Sequence, residues 1–246
     1  MELSPFVFRH EGYLVGMRRL GEKAGSMTAA AASTGGSDDG GVLLDEVNGF
    51  ALRPLAPEEF VVFTLDLCHN QIDRHFSRFP EEELGKINQM VPGRPLMERH
   101  DLRGTLPRGT FFRSVLYRAG ERVSVRPDVY VLRTQDNVDF ILNIEGGVYR
   151  ETSIGFSFRT PECSICGRDL RTCDHIPGRT YGEALCHYTM RDVLEVIEGS
   201  VVPSGSQGTG FVAQERAQPL AEALDTARKD YHRPIELGSR MMWAEE

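Results

Sequence analysis

The stretch Glu151-Thr152-Ser153-Ile154-Gly155-Phe156 holds one serine between an extended apolar run and a glycine. β-Branched and aromatic positions over residues 153–158 predict a strand. Gly155 would let a main-chain N–H come close to a developing oxyanion. Two residues elsewhere complete a chemical set. His100 lies in a polar patch between Arg99 and Asp101, and Glu198 sits in a second strand-like run over residues 192–202. A hydroxyl is a weak nucleophile until a base takes its proton, and an imidazole titrates near neutrality. A carboxylate on the far ring nitrogen fixes the tautomer. Ser153, His100 and Glu198 are therefore the candidate catalytic residues for acyl transfer. Glu195 competes for the third place, because on an extended strand it and Glu198 point to opposite faces unless a bulge intervenes. By residue type alone the three also read as a ladder serine, a solvated loop histidine and a turn carboxylate.

Strand character recurs along the chain. Residues 59–67 are rich in β-branched and aromatic side chains, and strand-like runs over 110–132 flank Ala119-Gly120-Glu121 as a hairpin. Pro127 in the second run marks an edge or a bulge. Over 80–90, Pro80 and acidic residues open a short helix with Leu84, Ile87 and Met90 at helical spacing, and Pro92-Gly93 stops it. Asn137 is placed to cap a helix through Phe140, Ile141 and Ile144 that ends at Gly146-Gly147. The class is mainly β with helices (α+β). Residues 25–41 collapse to Gly, Ala, Ser, Thr and Asp, so 1–41 is expected to be a flexible arm, with ordered structure from near Val42. Residues 213–246 are expected to carry an amphipathic helix near 219–229 and a charged tail.

Of the five cysteines, Cys163, Cys166, Cys173 and Cys186 fall within 24 positions. With no secretory signal, that crowding favours a metal over disulfides. Cys163, Cys166, Cys173 and His175 offer four soft or borderline donors, which suits a structural zinc in a knuckle-like insertion over 160–187. Cys186 is the alternative fourth ligand and His187 a weaker one. Four protein ligands leave no open position for water, which argues against a catalytic metal.

The bulk composition narrows the classes. A net charge of −8 argues against nucleic acid as a partner, and 40% hydrophobic content is enough for a real core. No stretch approaches the roughly 18 apolar residues that span a bilayer. Arg9, His10, Glu11, Arg18 and Arg19 interrupt any N-terminal apolar run, so no membrane association and cytosolic residence are expected.

Four segments, in order, resemble the prohead (capsid maturation) proteases of tailed bacteriophages, relatives of the herpesvirus assemblins. They are Asn70-Gln71-Ile72-Asp73-Arg74, then Gly93-Arg94-Pro95-Leu96-Met97-Glu98-Arg99-His100-Asp101, then Gly147-Val148-Tyr149-Arg150-Glu151-Thr152-Ser153-Ile154-Gly155-Phe156, and last Glu198-Gly199-Ser200-Val201-Val202-Pro203. The likeness covers roughly residues 48–212. It departs from the family at Gly199, where an apolar residue is usual, and at Ser204-Gly205-Ser206.

The resemblance implies a closed or nearly closed antiparallel β-barrel over 42–212. It implies Ser153 as nucleophile, His100 as base and Glu198 as the third member, with an oxyanion held by main-chain donors near Ser153 and by an arginine such as Arg150. It implies a serine endopeptidase acting on major capsid protein, scaffold protein and itself, inside an assembling procapsid in the host cytoplasm, with homo-oligomerisation left open. The rivals are a virion structural or assembly protein that keeps the fold without the activity, and a zinc-stapled binding module.

Overall fold

The computed structural model describes residues 6–9, 13–16 and 39–212. In chain order the strands are β1 (Phe6–Arg9), β2 (Tyr13–Gly16), β3 (Phe60–Thr64), β4 (Cys68–His69), β5 (Ser77–Arg78), β6 (Pro95–Glu98), β7 (Gly109–Ala119), β8 (Arg122–Leu132), β9 (Glu151–Cys163), β10 (Thr180–Tyr181), β11 (Ala184–Leu185) and β12 (Tyr188–Val202). The helices are α1 (Asp39–Asn48), α2 (Glu81–Met90) and α3 (Val138–Glu145).

The protein is mainly β with helices. β9 and β12 pair antiparallel along their whole length, from Cys163 opposite Tyr188 to Glu151 opposite Val202. Along β9 the side chains alternate, and Ile154, Phe156 and Phe158 enter the main core beside Val193, Val196 and Val201 of β12. Phe79 closes on Phe156 at 4.9 Å between ring centroids. Full burial of each such side chain contributes about 1.5–3 kcal/mol. Three glutamates in the first turn of α2 complement its positive end, and Leu84 and Ile87 pack its inner face into the same core.

The large sheet runs β2-β1-β9-β12-β6-β7-β8-β3, with β4 also on β8 and β5 also on β12. This departs from the expected closed antiparallel barrel in two ways. β5 and β6 lie parallel to β12, so the sheet is mixed. The ladder is also an open path, because β3 ends at Thr64 and among the described residues no further strand ladder joins it to β9. Single bridges span that gap: Leu65 pairs with Phe211, and Glu151 with Gly210. A run of apolar residues reads the same in parallel and antiparallel pairing, which is why strand direction was not legible.

Other departures are local. Within the expected flexible arm, β1 pairs with β2 and with β9 (Phe6 opposite Phe158, Phe8 opposite Phe156), and α1 begins at Asp39, before Val42. Gly40 and Gly41 mask that helix because glycine is a poor helix former. Val47 of α1 anchors it in a second apolar cluster with Leu55, Phe60, Phe112 and Tyr130. Asn137 precedes α3 but makes no side-chain cap. Its amide instead donates to Leu132 O at 3.0 Å. Pro127 lies on neither edge, since β8 has neighbours on both sides, and the bulge falls on β7 between Phe111 and Arg113, opposite Val129 and Asp128. The runs at Tyr188 and 192–202 are one strand with two register shifts. The helix expected near 219–229 lies outside the described residues. Among the described residues no helix is long and apolar enough to cross a membrane.

Candidate functional site

His100 is presented by a strained turn. β6 ends at Glu98, whose carbonyl accepts the Asp101 N–H at 3.0 Å, and the two central residues, Arg99 and His100, have φ of +54° and +56°. Left-handed backbone costs a residue with a side chain roughly 1–2 kcal/mol. Neighbours hold it in place. Arg99 N–H donates to Val201 O at 2.9 Å, His100 N–H donates to Ser200 Oγ at 3.0 Å, and the Asp101 carboxylate accepts from Gly104 N–H at 2.7 Å. Strain kept by so many contacts is typical of functional positions.

The turn delivers the imidazole to Glu198. His100 Nδ1 lies 2.5 Å from Glu198 Oε1, and Glu198 Oε2 accepts the Ser200 hydroxyl at 2.6 Å. The pair is deeply buried, with His100 4% and Glu198 1% exposed. A buried carboxylate is tolerable only when both oxygens are hydrogen-bonded, as they are here. Glu195 is exposed and takes no part. The register shift between Val196 and Glu198 puts both carboxylates on one face, with Glu195 opposite Ser157 and Glu198 opposite Gly155, so it is distance along the ladder and exposure, not strand face, that set Glu195 apart.

Ser153 stands beside this pair. In the ladder it is directly opposite Ser200, and Gly155 is opposite Glu198. Cross-strand partners share a face, and so do residues two apart on one strand. Ser153, Gly155, Glu198 and Ser200 therefore occupy one face of the β9–β12 pair, the face His100 covers. Ser153 Oγ and His100 Nε2 are both buried and have no hydrogen-bond partner. A buried polar atom left in this way costs about 1–3 kcal/mol. The two atoms between which a proton would pass are thus both unsatisfied, and no direct bond joins them in this conformer. Such bonds commonly tighten only once substrate is seated.

One expected role is corrected. Gly155 makes no turn: it lies mid-strand, and its missing side chain makes room for Glu198, whose Cδ would sit 2.9 Å from a Cβ built there. Arg150 is exposed, and its Nε donates to Gly147 O. A small pocket at Ser153 is lined by Leu67, Thr152, Ser206, Gln207 and Thr209. Its 204–209 wall is stapled by Asp73, which accepts the Ser206 hydroxyl at 2.9 Å, and by Glu151, which accepts Gly205 N–H at 2.6 Å. Ser200 escaped the sequence reading of the site. The two-residue spacing of Glu198 and Ser200 was the available signal, since it places both on one strand face.

A second cluster lies in the connection from β9 to β12. The ligand atoms of Cys163, Cys166, Cys173 and His175 all fall within 4.8 Å of one another and could hold a metal ion. Cys163 ends β9. Its carbonyl accepts Gly167 N–H at 2.9 Å and its N–H donates to Arg168 O at 2.8 Å, so the chain turns tightly around the Cys166 thiol. Hydrogen bonding from the Arg168 backbone, with help from its guanidinium, holds the Cys166 thiol down at about 6. His175 Nδ1 is buried with no hydrogen-bond partner, as a ligand nitrogen would be. Three thiols and one imidazole are a donor set compatible with zinc. Cys186 is not among the four converging atoms. It is buried beside Cys163, and burial pushes its thiol up to about 11. His187 Nδ1 contacts Leu185 O at 3.3 Å instead. No family model, no curated protein and no solved structure matches the chain.

Proposed function

We propose that this chain is a serine endopeptidase of the prohead protease type, cleaving major capsid protein, scaffold protein and itself inside an assembling tailed-phage procapsid in the host cytoplasm. One observation carries the reading. A buried imidazole is clamped through Nδ1 by a carboxylate, and its Nε2 is left unsatisfied on the strand face that presents an equally unsatisfied serine hydroxyl. With Nδ1–H donated to Glu198, Nε2 carries the lone pair and can take a proton. Ser153 Oγ then attacks the scissile carbonyl as His100 Nε2 accepts its proton, and Glu198 stabilises the imidazolium. The same nitrogen protonates the departing amine. Water, deprotonated by His100, then releases the acyl group from Ser153.

The finer architectural reading belongs with this proposal. Residues 209–212 hydrogen-bond to β3 and to β9, with Val212 N–H to Thr64 O at 2.9 Å and Thr152 N–H to Thr209 O at 2.9 Å. This supports a nearly closed barrel around the core. We assign zinc to Cys163, Cys166, Cys173 and His175. It would supply a structural cross-link at the far end of the β9–β12 pair and no reacting position.

One observation favours a second reading, an assembly protein that retains the fold without activity: Ser153 is only 3% exposed. Co-expression with a capsid-protein substrate decides between them. Wild-type protein should process the substrate and itself, Ser153→Ala should do neither, and a fluorophosphonate probe should label Ser153. Processing by the alanine variant, or a wild-type protein that neither cleaves nor labels, overturns the endopeptidase.

A further inference from the structure

We propose that Ser200 is a positioning residue of the Ser153–His100–Glu198 constellation, fixing the carboxylate and the histidine backbone with one hydroxyl; this rests on the endopeptidase reading. Ser200 is fully buried and lies opposite Ser153 in the ladder. Its Oγ accepts the His100 backbone N–H at 3.0 Å and lies 2.6 Å from Glu198 Oε2. Those two contacts settle where its only proton goes. A backbone N–H can only donate, so the Oγ lone pair is engaged by His100 and the hydroxyl hydrogen points to Glu198.

Several consequences follow from that single orientation. Oε2 of Glu198 is occupied, which leaves Oε1 as the oxygen for His100 Nδ1–H and favours the tautomer with a bare Nε2. Both carboxylate oxygens of Glu198 are thereby hydrogen-bonded, one to His100 and one to Ser200. The left-handed backbone at His100 is tied to β12 at Ser200 and through Arg99 to Val201 O. The base and its orienting acid are thereby held to the same strand. A hydroxyl two residues from Glu198, on the same face, is the shortest covalent route to both.

The test uses the full chain and three variants, with thermal unfolding as a check on folding. Ser200→Ala removes both contacts. Ser200→Cys keeps the shape with a weak donor, and Ser200→Thr keeps the hydroxyl. Alanine and cysteine variants should lose roughly 10- to 100-fold in kcat with KM unchanged. The acid limb of their kcat/KM profile should move, because the carboxylate that orients the base has lost a donor. Threonine should restore both. The low-field Nδ1 proton resonance of His100 is read in parallel and needs no turnover. It should shift in the alanine and cysteine variants and return with threonine. An unchanged pH limb and an unchanged resonance in folded variants overturn the role of Ser200 while Ser153→Ala still abolishes cleavage. Cleavage surviving in Ser153→Ala instead removes the endopeptidase, and the resonance then decides the hydrogen-bond assignment by itself.

Discussion

Glu198 Oε1 occupies the space that a side chain on Gly155 would fill. A Cβ there would overlap this oxygen and lie 2.9 Å from the carboxyl carbon and 3.2 Å from Cγ. Because the same oxygen is 2.5 Å from His100 Nδ1, the absence of one methyl group on β9 lets the acid reach the base from β12. Gly155→Ala should therefore displace the carboxylate from His100. We expect about 1–3 kcal/mol lost from stability by overpacking. Labelling of Ser153 by a fluorophosphonate should slow by more than the fold loss explains. A variant that labels at the wild-type rate would separate Gly155 from the site.

The two candidate acids make a second, sharper contrast. Glu198→Gln keeps the shape but replaces a charged acceptor with an amide, which removes the stabilisation of the imidazolium. Activity should fall roughly 10²- to 10⁴-fold, as when the acid of such a constellation is neutralised. Glu195→Gln alters an exposed side chain and should leave cleavage within twofold, roughly the scatter expected of surface substitutions. Equal losses in both variants, measured on one peptide substrate, would contradict the assignment of the third position.

Much of the local structure was legible because it depends on short-range period and punctuation. The strand from Phe60, the helix from Glu81 to Met90 and the long hairpin around Gly120 each follow from alternation or helical spacing bounded by Gly or Pro. The four converging ligands were legible for the same reason, as donor types at close spacing. What escaped depends on distant partners. The parallel seating of β6 against β12 is a long-range choice, and so is the left-handed backbone of Arg99 and His100, which Val201 and Ser200 hold from a strand a hundred residues away. Gly199 stood out only as a departure from the resembled family, yet a neighbouring ring fills the space its side chain would take.

That last contact predicts a stability effect near the C-terminal end of β12. A Cβ on Gly199 would lie 2.6 Å from Phe111 Cζ and 3.0 Å from Leu67 Cδ1, both fully packed core residues. Gly199→Ala should cost about 1–3 kcal/mol. Phe111→Leu alone should also cost stability by leaving space unfilled. Together they should cost less than their sum, because the smaller side chain relieves the clash; residues in contact commonly couple by 0.5–3 kcal/mol. Additive losses in urea unfolding would mean that Gly199 and Phe111 do not compete for the same space.

The cysteine cluster predicts a pH-dependent reactivity order in protein stripped of metal. Cys166 is exposed and its thiol sits near 6, so at neutral pH most of it is thiolate, the form that alkylates. Burial pushes Cys68 upward and Cys186 to about 11, so both stay protonated and shielded. Iodoacetamide should modify Cys166 first. Its rate should drop as pH falls through 6, while Cys68 and Cys186 should react only on unfolding. The main cause of the low value is a backbone hydrogen bond from Arg168, with the side chain secondary. Arg168→Ala should therefore raise the midpoint only modestly. Added zinc should protect Cys163, Cys166 and Cys173 together, since all three thiolates would be ligands at once. Peptide mass spectrometry of the alkylated protein reads each site separately. Protection of Cys166 alone would show that the four donors do not close on one ion.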